Sequence, residues 1–190
     1  MSQDVRLQKD IDEARRTLES LSSMEAQLND AARLIGQALL EGNTILVCGN
    51  GGSAAEGQHF VTELVGRYRL NRRPLPAIFL GGDAGQMSCI ANDFDWDQVF
   101  ARPLRAFARP GDVLLCFSTS GSSSNVVSVL KAAQELGLTR VALLGKDGGA
   151  AAGLATHPLI IDSSNTARIQ EAHLFFLHWI CEYLEELFPA

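Results

Sequence analysis

The stretch CGNGGSAAEGQHF, residues 48–60, joins the end of an apolar segment to a helix-forming one. The apolar segment TILVCG (44–49) is typical of a buried strand, and GNGGS (49–53) follows it as a glycine loop. Glycines let the backbone turn sharply and present its N–H groups, and a helix N-terminus favours anions. This order of strand, loop and helix indicates an anion site at the end of a strand, although a tight turn without a ligand has the same composition.

The same alternation continues along the chain. Its apolar runs contain few polar residues, which indicates strands that are buried on both faces. Strands joined through helices form right-handed crossovers, so we expect a three-layer α/β/α sandwich around a central five-stranded parallel sheet. The predicted strands are 44–49, 76–80, 112–118, 140–145 and 157–162. The predicted helices between them are 53–68, 84–91, 97–108, 123–137 and 166–187.

Residues 5–41 have a helical periodicity instead. Apolar residues spaced by four and three form one stripe, which consists of Leu7, Ile11, Ala14, Leu18 and Leu21. A second stretch with the same spacing ends near Gly42, a plausible helix stop. We therefore predict an N-terminal helical pair whose apolar stripe packs on another surface, and a second copy of the chain is the candidate.

Composition narrows the class of protein. The 190 residues suffice for one domain with a core, and the formal net charge of −6 argues against a direct nucleic-acid partner. The four cysteines have no CxxC spacing and suggest a reducing compartment. The charged N-terminus lacks a signal-peptide pattern and no apolar run could span a membrane, so a cytoplasmic protein without a membrane partner is expected.

A second loop, STSGSSSN (118–125), also follows a predicted strand and precedes a predicted helix. Hydroxyl groups together with backbone N–H groups can surround phosphate oxygens. A flexible Ser/Gly linker has a similar composition, but a linker does not normally join a buried strand to a helix. Both loops lie at the carboxyl edge of the predicted sheet, where ligands bind in such folds, so together they predict a phosphate site.

Polar residues on two predicted helices are candidates for chemistry. His59 and Glu63 are four residues apart and share a helix face, and Gln170 and His178, eight apart, lie near one face of the last helix. On spacing alone, a surface His–Glu contact and a satisfied core His178 remain open. His173 is a candidate for a subunit contact and not for catalysis.

The segment AND (91–93) is expected to form a loop after the helix 84–91. Asn92 and Asp93 could bond sugar hydroxyls there. Residues of these types are equally common as helix terminators and caps, so both readings stay open.

The sequence resembles the sugar isomerase (SIS) domain family, and within it most closely the phosphoheptose isomerases. The segments that carry the resemblance are CGNGGSAAEGQHFVTELVGRY, AND, STSGSSSNV, LGKDGG and ARIQEAH with a later histidine. The resemblance covers nearly the whole chain. It implies one flavodoxin-like SIS domain over 1–190, with helices 1–42 used in oligomerisation and an α/β core over 43–190. It also implies a cytoplasmic homotetramer with active sites between subunits.

The reaction that the resemblance implies converts D-sedoheptulose 7-phosphate into D-glycero-D-manno-heptose 7-phosphate. This is the first step towards the nucleotide-activated heptoses of bacterial surface glycans such as lipopolysaccharide. Moving a carbonyl from C2 to C1 through an enediol needs a group that takes a proton and a group that shuttles a second one, which a carboxylate and an imidazole can do.

The resemblance also implies roles for individual residues. The phosphate cradle would be Ser118, Thr119, Ser120 and Ser123. The other substrate contacts would be Asn50, Gly51, Gly52, Ser53, Glu63, Arg67, Asn92, Asp93 and Gln170. One Zn²⁺ per subunit, weakly held because an amide is a poor ligand, would be bound by His59, Glu63, Gln170 and His178. Glu63 and His178 would be the acid–base pair.

Two positions depart from the family pattern, and three other functions stay in view. Ala167 replaces an acidic residue before the RIQE motif, and Ser122 replaces an asparagine. A non-catalytic SIS regulator that binds the replication initiator protein is the first alternative, but such proteins lack the glutamate found here as Glu63. A sugar-phosphate sensor and an isomerase of another ketose phosphate are the others.

Overall fold

The computed structural model describes residues 3–189, so the ends of the predicted 1–190 domain lie outside the described residues. The α-helices are α1 (Gln3–Ser20), α2 (Glu25–Leu40), α3 (Gly52–Val65), α4 (Ala84–Asp93), α5 (Ala101–Phe107), α6 (Ser124–Glu135), α7 (Gly149–Ala152) and α8 (Thr166–Leu187). The strands are β1 (Ile45–Gly49), β2 (Ala77–Phe79), β3 (Val113–Ser118), β4 (Thr139–Gly145) and β5 (His157–Ile161). Short 3₁₀ turns occupy Leu21–Met24 and Trp96–Gln98.

The five strands form one parallel sheet in the order β2-β1-β3-β4-β5, which is the flavodoxin-like order. Each predicted strand is present to within one residue at either end, and the predicted fold class is confirmed. The order reverses at β1, so the loops after β1 and β3 leave neighbouring strands at the same edge of the sheet. This is the point of an open α/β sheet at which ligands bind.

Burial on both faces explains the continuous apolar runs. In β1, Ile45 and Val47 pack into a core with α2, α3 and α8, while Leu46 and Cys48 pack into a second core with α5 and α6. Side chains of a strand point alternately to the two faces of the sheet, so a strand between two helical layers needs apolar residues at every position.

Three predicted helices differ from the observed ones. The predicted helix 97–108 is interrupted, and α5 begins only at Ala101. Pro103 lies in the first turn of α5, where its missing N–H does no harm, but a continuous helix would force its ring against the carbonyl of residue 99. α4 extends to Asp93, so Asn92 and Asp93 lie in the last turn of a helix and not in a loop. α3 ends at Val65 and not at residue 68, and the short α7 was not predicted.

The N-terminal pair is present as α1 and α2, and α1 turns most of its apolar stripe away from the core, whereas Leu21, which follows α1, is buried in the core. Leu7, Ile11 and Leu18 are 65%, 50% and 41% exposed. α1 is held to the rest of the chain by polar contacts, such as the bond of 2.6 Å that Arg168 donates to the Asp10 carbonyl. Among the helices of residues 3–189, none is long and apolar enough to cross a membrane.

Candidate active site

A small cavity of about 80 Å³ lies between the two loops at the carboxyl edge of β1 and β3. It is lined by Asn50, Ser53, Phe117, Ser118, Thr119, Ser120 and Ser123. All six polar residues in this lining were predicted as substrate contacts. The cavity therefore brings the two predicted loops together around a space that is rich in hydroxyl groups.

The two loops are linked to each other by a pair of side-chain amides. Asn50 donates to the Oδ1 of Asn125 at 2.8 Å, and Asn125 donates in return at 2.9 Å. Asn125 is almost fully buried at the start of α6. Sequence reasoning included it in the second loop but gave it no role, because nothing in the sequence says which asparagine faces it.

Glycines fix the course of both loops. Gly51 has a φ of 56° at the turn from β1 into α3, a conformation that residues with a side chain rarely adopt. Gly121 has a φ of 61°, and its backbone lies directly on the Gly148 carbonyl of the next loop. The serine loop is thus held in place by backbone-to-backbone packing, so it is not a flexible linker.

A second cluster lies further along α3, where α3 meets α8. The Nε2 of His59 and the Oε1 of Glu63 are 2.8 Å apart, and the imidazole of His178 lies edge-on to that of His59 with ring centroids 5.1 Å apart. The side chain of Glu63 is mostly buried, at 17% exposure. The structure thus brings together three of the residues predicted for metal binding and catalysis.

The surroundings of His178 favour its neutral form. Burial lowers its pKa below the usual value of 6.5, and the neighbouring His59 lowers it further, while Glu63 acts in the opposite direction. The ring of Tyr68 is stacked on that of His178, with centroids 5.6 Å apart. A neutral imidazole can both accept and donate a proton, which is the property that a shuttle needs. The prediction did not include Tyr68, although it adjoins the predicted Arg67.

Gln170 does not join this cluster within the chain. Its side-chain amide lies on the backbone of Gly52, at the start of α3. The eight residues that separate Gln170 from His178 correspond to about 12 Å along α8. Arg67, Asn92 and Asp93 are exposed, and Asn92 donates to the carboxylate of Asp93 at 2.7 Å.

Buried charges shape the segment that follows α3. Arg72, which is 8% exposed, donates to the carbonyls of Glu63 and Leu64 at 2.6 and 2.9 Å and so caps the end of α3. The Glu185 carboxylate accepts the backbone N–H groups of Arg69 and Leu70 at 2.6 and 2.7 Å. Neither residue was predicted, because one arginine among several neighbours and one glutamate among three near the C-terminus give no distinguishing signal.

The donor set of the second cluster suits zinc in kind. Two imidazoles and a carboxylate are common zinc ligands. As the side chains stand, however, no group of three or more His, Cys, Asp or Glu residues within 3–189 is arranged to hold a metal ion. The hydrogen bond between His59 and Glu63 occupies the Nε2 of His59 and the Oε1 of Glu63, so a metal bound through these two atoms would replace that bond.

His178 lies where the resemblance implied, whereas His173 does not lie at a surface. His178 is half-buried at the cluster and is not a core histidine. His173, the candidate for a subunit contact, is fully buried, and its Nε2 bonds to the Leu144 carbonyl at 3.1 Å. His173 and His178 are five residues apart and therefore point to different sides of α8. Only the packing of α8 decides which of these two sides faces the core.

Comparisons with known proteins agree with this geometry. A family model described as SIS domain matches residues 11–145. The phosphoheptose isomerase of Shewanella sp. (strain ANA-3) is 46% identical over 176 residues, which cover 90% of this chain and 89% of the relative. The phosphoheptose isomerase of Campylobacter concisus is 41% identical over 182 residues, which cover 96% of both chains.

Solved structures give the same result. The phosphoheptose isomerase of Neisseria gonorrhoeae is 36% identical with a TM-score of 0.92, and the match covers 97% of this chain and 100% of that one. That of Francisella tularensis is 30% identical with a TM-score of 0.94, and the match covers 98% and 100%. The chain therefore belongs to the SIS domain family, within its phosphoheptose isomerases, and it is a phosphosugar isomerase.

Proposed function

We propose that this protein converts D-sedoheptulose 7-phosphate into D-glycero-D-manno-heptose 7-phosphate, with Glu63 and His178 as the acid–base pair. The observation that carries the proposal is the cluster of His59, Glu63 and His178, in which a mostly buried carboxylate lies beside an imidazole that is kept neutral. The hydroxyl-lined cavity supports a phosphorylated substrate, and the relatives named phosphoheptose isomerase support a heptose.

In the proposed mechanism, Glu63 takes a proton from C1 of the ketose, and the electron pair left on C1 forms the C1–C2 double bond of an enediol. His178 moves the proton of the C1 hydroxyl to the oxygen on C2. Protonation of C2 by Glu63 then gives the aldose, so the carboxylate ends in its starting state. His178 can shuttle a proton near neutral pH because burial lowers its pKa and so favours the neutral imidazole there.

We also propose that the cluster binds zinc through His59, Glu63 and His178. When bound, the ion would stabilise the negative charge that develops on the enediol oxygens. His59 would then act mainly as a ligand, and its hydrogen bond to Glu63 would orient the carboxylate in the metal-free protein.

The proposed active form is a homo-oligomer, expected to be a tetramer, with sites completed between subunits. Two separations within one chain support this. Gln170 is about 12 Å along α8 from His178, and Ser53 in the phosphate cavity is about 15 Å along α3 from Glu63. A second copy of the chain can place its Gln170, or its phosphate cavity, closer to the cluster of His59, Glu63 and His178 than the same chain does. The exposed apolar stripe of α1 gives such a copy a surface to pack on.

We place the reaction at the start of nucleotide-activated heptose synthesis and the protein in the cytoplasm. The names of the relatives support the pathway. All four cysteines are free, including Cys48 and Cys116, whose Sγ atoms are 3.3 Å apart and joined by a hydrogen bond and not by a disulfide bond, which supports a reducing compartment.

The test is an NMR assay with sedoheptulose 7-phosphate in D₂O with zinc supplied. The expected product is the aldose with solvent deuterium at C2. Glu63→Gln should lose turnover by at least about 100-fold, because removal of a general base costs this much, while Glu135→Gln, in an exposed ion pair, should keep it. A folded wild-type protein that binds the sugar phosphate without product or exchange would instead support the sensor or the regulator.

A further inference from the structure

A second histidine–carboxylate pair connects the two helices that carry the proposed acid–base groups. Glu56, on α3, and His173, on α8, place their Oε2 and Nδ1 atoms 3.7 Å apart. The side chain of His173 is fully buried and that of Glu56 is 11% exposed. Glu56 precedes His59 by three residues and His173 follows Gln170 by three, so the pair lies between the proposed site residues on both helices.

The hydrogen bonds of His173 fix where its protons must be. Its Nε2 lies 3.1 Å from the Leu144 carbonyl, and because a carbonyl only accepts, Nε2 carries a proton. The Nδ1 of His173 and the Oε2 of Glu56 are both buried, and neither has a hydrogen-bond partner. The ring of Phe117 lies edge-on to His173, with centroids 6.1 Å apart, and provides no donor.

Two acceptors that face each other in a buried place would each lack a donor and would repel each other. One additional proton on this pair of atoms replaces the repulsion by attraction between opposite charges. When that proton lies on Nδ1, the pair is an imidazolium beside a carboxylate. At 3.7 Å the two atoms are within ion-pair distance.

We propose that Glu56 and His173 form an ion pair that fixes α3 against α8 and thereby positions Glu63 opposite His178. The link continues through Leu144 to the end of β4, so it ties both helices to the sheet. Neither residue belongs to the cluster of His59, Glu63 and His178, and the role proposed for them is to position it. The positioning part rests on the proposed function, whereas the proton on Nδ1 does not.

The first test needs no substrate. The protein is labelled with ¹⁵N at its four histidines, and the ring signals are assigned with His59→Gln, His157→Gln and His178→Gln. At pH 7.5, both ring nitrogens of His173 should carry a proton in the wild type. In Glu56→Gln, the ring should become the neutral tautomer protonated only at Nε2. A wild-type His173 with a single ring proton overturns the proposal, whatever the substrate of the enzyme is.

The second test separates positioning from mere stability. Glu56→Gln keeps the size of the side chain and can donate its amide N–H to a neutral Nδ1, so kcat should stay within about threefold of the wild type. Glu56→Ala removes the link, so kcat should fall roughly 30- to 100-fold while KM changes less than about threefold. Glu135→Gln, which loses an exposed carboxylate, is the matched control and should behave as the wild type.

Other outcomes decide against the proposal. A wild-type kcat in Glu56→Ala overturns the positioning role. If circular dichroism shows that Glu56→Ala is unfolded, Glu56→Asp takes its place, since it keeps the charge and withdraws it by one methylene. A wild-type kcat and unshifted His178 ring signals in that variant also overturn the role.

A wild type that does not turn over the heptose phosphate contradicts the proposed function alone, because the His178 signals still report the position of α8.

Discussion

At the scale of single residues, the site depends on neighbours that the sequence does not place together. His178 has a lowered pKa because it is partly buried and lies beside His59. Gly121 must be a glycine because its φ is positive and because its backbone lies on the Gly148 carbonyl. In each case, the residue type matters through a contact made from another element.

The lowered pKa of His178 gives a stability prediction with a definite sign. The unfolded chain binds a proton at this histidine near pH 6.5, whereas the folded protein binds it only at lower pH, so the unfolded state holds more protons in between. Stability should therefore fall as the pH is lowered from 6.5 through the folded-state pKa. Without metal, His178→Gln should show a smaller loss of Tm between pH 7.5 and pH 5.5 than the wild type. An unchanged loss would contradict this.

Gly121→Ala should damage the phosphate cradle more than a glycine replacement elsewhere. Gly137 has a similar φ of 70° but no atom within 4 Å of an added Cβ, so Gly137→Ala should cost only about 1–2 kcal/mol of backbone strain. Gly121→Ala adds a clash with backbone and should therefore cost more in denaturant unfolding. Its KM for the sugar phosphate should also rise at least about tenfold, since the loop must move. Equal costs in the two variants would show that the loop adapts.

At the scale of elements, the end of α3 is set by a contact from outside the helix. Arg72 donates to the carbonyls of Glu63 and Leu64, which have no partner within α3. The backbone at Glu63 is thus anchored by a buried guanidinium. The cap also explains why the helix ends at Val65 although the sequence pattern extends to residue 68.

Arg72→Met should lower the free energy of unfolding by about 2–4 kcal/mol, because it removes the buried charged donor from the carbonyls of Glu63 and Leu64, and only that of Leu64 keeps another donor, the Leu75 N–H. Arg73→Ala is the control, since Arg73 is exposed and contacts the Phe188 ring at its surface. Urea unfolding of both variants measures the difference. A cost of Arg72→Met no larger than that of Arg73→Ala would show that water satisfies these carbonyls.

At the scale of the whole molecule, one chain leaves an apolar surface uncovered. A groove of about 350 Å³ between the N-terminal helices and α8 is lined in part by Leu18, Leu28, Phe175 and Trp179. Leu18 is 41% and Phe175 48% exposed. Such a surface, continuous with the stripe of α1, is typical of an interface between copies.

Leu18→Glu and Phe175→Glu should each shift the protein towards smaller species in sedimentation velocity, because burying a carboxylate in an apolar interface is unfavourable. If the active sites are completed between subunits, kcat/KM should fall in these variants as the oligomer dissociates. Leu136 lies at the end of α6 and is exposed to a similar degree as Leu18 and Phe175, so Leu136→Glu should leave sedimentation and kcat/KM unchanged. Unaltered sedimentation of the first two variants would place the interface elsewhere.

The sequence by itself determined the strands, the two loops and the end of the sheet at which they lie. It could do so because apolar runs, glycines and serines act through local geometry, and a parallel sheet collects the carboxyl ends of its strands at one edge. Only the tertiary structure decided that His178 faces the cluster and His173 the core, that Gln170 lies on Gly52, and that Glu56 meets His173. Helical spacing says which residues of one helix share a face, but the packing of α3 against α8 determines what that face contacts.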